Sequence, residues 1–340
     1  MNIKEIAKIV GVSKTTISRV LNNSESVAEE TRKKVLFTIE QSGYYPNYIA
    51  RSLKVKKTKT IGVLVPDIGN PFYFEVIRGI EKVMYKKDFN IMLCNSDYDN
   101  EKELKYIFLL ASKKVDGIIA APCSENSLGI KNLLKWKIPF VLLDIPQIDF
   151  NANGVYIDHS NCSYIAADYL IKNGHTDIIL IDAKRIKDAK SKFTEGYARA
   201  LKEHNISLKE ENILQIYPDI NNGYSAIKKL IKSKRKFSAI IAINDLISIG
   251  AYRAANVMGL RIPKDISVIG NDDIPLAKFL TPPLTTIHQP KLLLGYKSAE
   301  LLLDYIDSDN DSEITDTKTL TLDVRLIKRG SVLRRTENEN

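Results

Sequence analysis

Gly11-Val12-Ser13-Lys14-Thr15-Thr16-Ile17-Ser18-Arg19-Val20-Leu21-Asn22 is the stretch on which the reading of this 340-residue chain turns. Gly11 permits a tight turn, Val12 can pack inward, and Ser13 can cap a following helix. Ile17, Val20 and Leu21 then fall at i, i+3 and i+4, so a helix from Lys14 to about Asn22 buries one apolar stripe. Its opposite face displays Lys14, Thr15, Ser18, Arg19 and Asn22, all hydrogen-bonding side chains. Upstream, Ile3, Ile6, Ala7 and Val10 follow the i, i+3, i+4, i+7 rule and make one face of an earlier helix. Two short helices joined by a Gly-containing turn, the second with a donor-rich outer face, describe a helix-turn-helix.

Downstream, Ser26-Val27-Ala28-Glu29 reads as a capping box opening a third helix, with Val35, Leu36 and Ile39 closing a small core and Gly43 ending it. Pro46 then stops the chain, Asn47 can cap, and the residues to Leu53 could form about two helical turns, too few to be stable alone in water. Lys54-Val55-Lys56-Lys57-Thr58-Lys59 reads as a linker. Residues 1–60 hold twelve Lys and Arg against five Asp and Glu, a surplus of seven, whereas the rest of the chain carries a surplus of only two out of the total +9. A small cationic head on a nearly neutral body is the charge footprint of nucleic-acid contact.

The composition, 44% hydrophobic and 27% charged, is that of a globular protein and excludes global disorder. No apolar run approaches the ~18 residues of a membrane span, and the first residues lack the apolar core of a signal peptide. Cys94, Cys123 and Cys162 are isolated and odd in number, which argues against a disulfide framework and for the cytoplasm.

From Thr60 onward, β-rich runs (61–65, 90–94, 117–120, 140–143, 178–181, 239–243 and 268–270) alternate with helical patterns such as 72–87, 163–173, 195–204 and 246–258. That alternation predicts parallel sheets covered by helices on both faces, and the number of units predicts two Rossmann-like subdomains with a cleft between them. There is no GxGxxG or GxxxxGK[ST] motif and no metal spacing among His159, His175, His204 and His288, so no cofactor or metal is expected. His175, after Gly174 at a helix end, reads as structural. Adjacent carboxylates such as Asp272-Asp273 usually point apart, which leaves no catalytic constellation and argues against an enzyme.

Ligands of open α/β sheets bind outside the carboxyl ends of the strands. Asp67, Asn70, Phe72, Tyr73, Cys123, Ser124, Asp144, Asn244 and Asp272 occupy such ends. An aromatic ring beside carboxylates and amides suits a sugar: the ring face takes C–H groups, and Asp or Asn takes paired hydroxyls.

Three motifs in order, Ile3-Lys4-Glu5-Ile6-Ala7, Gly11 to Asn22, and Tyr45-Pro46-Asn47 through Ala50-Arg51-Ser52-Leu53, resemble the head and hinge of the LacI/GalR family of bacterial transcription regulators. The resemblance continues through Gly62 to Phe72, Val115-Asp116-Gly117-Ile118-Ile119, Gly174-His175, Asn244-Asp245, Asp272-Asp273-Ile274 and Pro283-Leu284-Thr285-Thr286-Ile287. It implies a helix-turn-helix headpiece (1–46), a hinge helix and linker (47–59), and a ligand-binding and dimerisation body (60–330) of periplasmic-binding-protein-like fold, followed by a polar tail (331–340). Within the body it implies one subdomain of about 60–158 and 288–320 and a second of about 159–287 and 321–330.

By the same resemblance Lys14, Thr15 and Arg19 read bases in the major groove, where Arg19 can hold the O6 and N7 of a guanine. Ser13, Thr16, Ser18, Asn22 and Thr31 suit phosphates, which fix register without reading sequence. Leu53, a bulky apolar residue on a basic peptide, takes the place of the family's minor-groove wedge. Phe72, Tyr73 and Asp272 match family effector positions, with Asn70, Ser124, Asp144 and Asn244 completing the expected effector set.

Two departures bear on effector class. Phe193 stands where many members have Arg, and Asn271 where an aromatic is common. The implied protein is a homodimeric repressor of carbohydrate-utilisation genes on a near-palindromic operator, controlled by a small sugar or sugar derivative. The rival readings are control by a phosphorylated protein co-regulator, and a sugar-binding protein or enzyme without DNA. The basic loop Lys184–Lys192 reads as a solvated loop.

Overall fold

The computed structural model describes residues 2–21, 24, 26–43, 57–124, 127–144, 152–184, 191–308 and 317–335. The chain divides into two compact units, 1–58 and 59–340.

In the first unit, α1 (Ile3–Val10), α2 (Lys14–Leu21) and α3 (Glu29–Ser42) bury Ile6, Ala7, Ile17, Val20 and Val35 against one another. α1 opens with a capping box that the sequence reading overlooked: Asn2 accepts from the Lys4 and Glu5 amides, and Glu5 reaches back to the Asn2 amide at 3.0 Å. Gly11, at φ 76, ends α1 in the left-handed region where a side chain would be strained. The capping box expected at Ser26 does not form. α3 starts at Glu29 behind Ala28, Ser26 bonds the Ser24 hydroxyl at 2.8 Å, and Glu29 instead pairs with Arg32 at 3.7 Å. Leu36 is exposed rather than part of the small core, because the seam is already closed by Val35 and Ile39.

The second unit holds two six-stranded sheets among its described residues. Sheet one comprises β1 (Thr60–Val65), β2 (Asn90–Asn95), β3 (Gly117–Ala120), β4 (Phe140–Leu143), β5 (Asn153–Ile157) and β11 (Thr319–Leu322), in the order β11-β5-β4-β3-β1-β2. Sheet two comprises β6 (Ile178–Ala183), β7 (Ile213–Ile216), β8 (Ala239–Ala242), β9 (Ser267–Asp272), β10 (Thr285–His288) and β12 (Arg325–Ile327), in the order β12-β10-β9-β8-β6-β7. All pairings are parallel except β10 with β12. The helices are α4 (Pro71–Lys86), α5 (Asn100–Ser112), α6 (Leu128–Trp136), α7 (His159–Lys172), α8 (Lys192–Glu203), α9 (Ile220–Lys232), α10 (Asp245–Val257) and α11 (Lys291–Asp307).

Central strands such as Val63, Ile119 and Ile241 are fully buried, as parallel strands covered on both faces must be. One apolar core runs continuously through both subdomains, and each sheet has a second core on its other face. α4 and α11 lie backbone against backbone. A Cβ on Gly295 would collide with the Val76 carbonyl, and one on Gly79 with that of Leu292, so both helices carry glycine at the crossing.

The chain crosses between sheets after β5, after β10, and between β11 and β12. The third crossing therefore falls at 323–324 rather than 320, because Thr321 and Leu322 still pair with Tyr156 and Ile157 in sheet one. Residues 331–335 are not a free tail either. The Val268 amide donates to Ser331, the Arg335 amide donates to the Asn173 carbonyl at 2.8 Å, and buried His175 bridges the Ser238 hydroxyl and the Leu333 carbonyl, both at 3.0 Å.

Candidate functional site

The outer face of α2 presents Lys14, Thr15 and Arg19 to solvent, because Ile17 and Val20 turn the opposite face into the small core. The Ser13 hydroxyl accepts from the Thr16 amide at 3.0 Å and pairs with the Thr16 hydroxyl at 2.9 Å, so both stand at the helix N-terminus, where the backbone favours anions. Ser18 and Thr31 are half-buried. Asn22, Leu53 and the hinge peptide lie outside the described residues. Arg32, which the sequence reading passed over, donates to the Ser24 carbonyl and ties α3 to the chain that leaves α2. A cation in the first turn of a helix opposes the helix dipole, and that was its signal.

In the body, loops at the carboxyl ends of both sheets carry the expected effector residues, and those after β2 and β7 touch. After β1, Asp67 accepts from the Gly69 amide at 2.7 Å, and Asn70 caps α4 by accepting from the Phe72 amide at 2.9 Å. Phe72 is buried behind Tyr73, their rings meeting edge to face at 5.0 Å. Tyr73 is also buried. Burial first, then the fields of Tyr98, Asp144, Asp272 and Asp67, pushes its phenol well above the ordinary range, so it acts as a neutral hydroxyl. Asp144, at φ 65 after β4, has its carboxylate 3.1 Å from Nε2 of His159 at the start of α7. Ser124 is half-buried in a loop whose neighbours Cys123 and Ser127 both donate to buried Glu103, the Cys123 amide at 2.6 Å. Burial pushes the Cys123 thiol to about 12, so it is no nucleophile.

Asp272 is the most constrained member of the set. It is buried at φ 118, where an L residue costs about 1–3 kcal/mol and persists only if its surroundings over-determine it. They do so here. The Lys291 ammonium donates to the backbone carbonyls of Asp272, Asp273 and Gln289, and the Gln289 amide donates to the Asp272 carboxyl at 3.1 Å. Next to it, Asp245 accepts from the Thr286 hydroxyl at 2.7 Å and the Ile274 amide at 2.8 Å. Burial, then the nearby Asp245 carboxyl, raises Asp272 well above the usual carboxylate range; Lys291 offsets this only in part, its donors being spent on carbonyls.

Asp144 and Asp272, from opposite subdomains, thus both act electrostatically on Tyr73 and on Tyr98. Asn244 has other work: it caps α10 through the Ile247 amide and donates to the Pro218 carbonyl at 2.8 Å. Phe193 lies fully inside the main core and Asn271 is buried, donating to the Ile243 carbonyl.

Several residues that build the cleft were not singled out from sequence. Glu103 and Asp182 are buried carboxylates that hold strand-end loops, Asp182 through Ser191 and Thr194. Tyr98 and Tyr217 are aromatics in short Asp-rich turns after edge strands. Residues 185–190 of the basic loop lie outside the described set. A further cavity of about 410 Å³ lies at the opposite end of sheet two, by Thr176, Lys234, Ser238 and Arg335, away from these groups. Among the described residues no cluster of His, Cys, Asp and Glu could hold a metal, and no helix is long and apolar enough to cross a membrane.

Comparison with known proteins matches residues 2–47 to the family of bacterial regulatory proteins, lacI family, and residues 58–329 to periplasmic binding proteins and sugar binding domain of LacI family. The chain is 38% identical to the HTH-type transcriptional repressor PurR of Photorhabdus laumondii, over 97% of this chain and 96% of that protein. Among solved structures it is similar to a LacI family transcriptional regulator from Enterococcus faecium with bound ribose (33% identity, 82% of this chain and 100% of that one, TM-score 0.71). The lac repressor dimer bound to operator and the anti-inducer ONPF, 24% identical over 98% of this chain and 99% of that one, shares the fold with a TM-score of 0.85.

Proposed function

Because the chain belongs to the LacI family of bacterial regulatory proteins and is a DNA-binding transcriptional repressor rather than an enzyme, we propose that it represses carbohydrate-utilisation genes as a homodimer on a near-palindromic operator and answers to a small sugar or sugar derivative in the body cleft. Lys14, Thr15 and Arg19 read bases; Ser13, Thr16, Ser18, Asn22 and Thr31 hold phosphates; Leu53 wedges the central step from the minor groove. Tyr73, Asp144 and Asp272 take the effector, with Ser124 at the rim and Asn70, Phe72 and Asn244 shaping the walls. The observation that carries this reading is the convergence of a neutral phenol and two carboxyls from opposite subdomains, one of them held in a strained conformation. The ribose in the Enterococcus faecium neighbour supports the sugar class.

A second reading, a planar nitrogen heterocycle such as a purine-like base, is favoured by one observation: Tyr98 and Tyr217 add two more aromatic rings beside the loops at the strand ends.

Effector binding shifts how the two subdomains sit and so the spacing of the paired hinges, whose helices are too short to persist unaided. By reciprocity, operator changes effector affinity by the same factor that effector changes operator affinity. A thermal-shift and calorimetry screen of the full-length protein against sugars, sugar phosphates, nucleobases and nucleosides, repeated with a selected operator, tests this. A melting rise with a sugar, together with an affinity that changes when operator is added, supports the proposal. A response to bases alone moves it to the second reading, and equal affinity with and without operator overturns the switch.

A further inference from the structure

All three interdomain crossings leave from one side of the sheets: β5 and β11 in sheet one, β10 and β12 in sheet two. The opposite edges are β2 and β7, and there the two subdomains touch. The Tyr98 and Tyr217 rings meet edge to face, 5.6 Å between centroids at 86°, and the Tyr217 hydroxyl donates to the Asp97 carbonyl at 3.0 Å.

Both lips are built in advance. Asp97 and Tyr98 hold left-handed backbone at φ 53 and 57, a conformation Asp adopts readily and a bulky Tyr rarely. Asn95 donates to the Asp97 carboxylate, Lys102 pairs with it, and Asp99 caps α5. On the other lip, Tyr217 sits between β7 and a Pro218 carbonyl held by Asn244, with Asp219 capping α9. Tyr217 keeps 45% of its surface in solvent, so the contact is a surface bridge rather than core packing.

We propose that Tyr98 and Tyr217 form a clasp on the side of the body away from the crossings, which must part before a solute enters the cleft and which slows its escape once closed. Four to five strand spacings of about 4.8 Å put the clasp about 20–24 Å from the strands at which the chain crosses. A rotation there of about 10° therefore parts the lips by about 3–4 Å, enough to break both the ring contact and the hydrogen bond. Two such contacts together bias the closed form by about tenfold or more. The clasp does not depend on which solute the cleft takes.

Hydrogen exchange on the full-length protein without added ligand tests this. Tyr217→Ala is expected to speed exchange about tenfold at Ser96–Asp99, on the other subdomain, and Tyr98→Ala to do the same at Tyr217–Asp219, while β1 and β6 stay protected. Tyr217→Phe, which keeps the ring and loses only the hydrogen bond, is expected to give a smaller increase, about threefold. The clasp is refuted if each alanine variant alters only its own lip. It is equally refuted if both variants expose β1 and β6, since the pair would then be part of the folded core rather than a device at its mouth.

Discussion

Gly295→Ala isolates one packing decision in the body. Its new methyl would meet the Val76 carbonyl and sit 3.0 Å from the Ile80 amide, both backbone atoms of α4. Backbone cannot swing aside as a side-chain tip can, so α11 must lift from α4. Overpacking of this kind costs typically 1–3 kcal/mol, and being backbone-limited it belongs at the upper end. Alanine returns about 1 kcal/mol through its helix propensity. The net expectation is a loss of about 1–2 kcal/mol, read as a lower urea midpoint at unchanged slope. Gly129→Ala is the control: its methyl meets the Ile107 side-chain tip, which can yield, so its loss should be smaller by about 1 kcal/mol. A Gly295→Ala protein as stable as the parent would refute the reasoning that backbone contact dictates glycine here.

Arg19→Ala should weaken binding to the selected operator by about 1–3 kcal/mol in fluorescence anisotropy and relax one base position, while barely changing affinity for random DNA; equal losses on both would make Arg19 a phosphate contact. Leu53→Ala should lower operator affinity and DNA bending and leave effector calorimetry unchanged, and unaltered bending would remove it from the wedge role. Burial raises the Asp273 carboxyl, but hydrogen bonds from His288 and Arg329 and the latter's charge outweigh it, leaving it at about 2 against an ordinary 3.8. Its stabilisation is therefore complete above about pH 4 and is lost as pH falls toward 2; allowing for its partial exposure it amounts to about 1–2 kcal/mol. Asp273→Asn should flatten that acid limb in urea unfolding between about pH 4 and 2, and a limb of unchanged depth would assign it to other groups.

What sequence alone determined was whatever depends on neighbours along the chain. The helix periodicity of Ile3, Ile6, Ala7 and Val10, the turn at Gly11, the cap at Ser13 and the surplus of charge in residues 1–60 are all local, and α1 and α2 follow from them. The strands β1, β3, β4, β6, β8 and β9 were legible for the same reason, since strands buried on both faces are continuous apolar runs, as was the apolar edge strand β2. The interior strands β5 and β10 were missed because Asn153-Gly154 and Thr285-Thr286 interrupt the run. Edge strands β7, β11 and β12 escaped because an edge needs no such run: Thr319–Leu322 is mostly exposed and becomes a strand only by pairing with β5. The capping box at Ser26 was misread because several caps are locally possible and packing of α3 selected Ala28.

The cleft was legible as a list of strand ends and not as a site. Only the fold could decide that Asn244 spends both ends of its amide on the scaffold, that Phe193 goes inward, and that Tyr98 and Tyr217, 119 residues apart in sequence, meet. Lys291, Gln289 and Asp245 likewise hold Asp272 from different elements. The physical reason is that a strand end or turn offers the same residue types whether it caps a helix, fills a core or faces a ligand. The choice among those roles is made by groups distant in the chain, whose proximity is paid for by burial of the whole core rather than by any local preference.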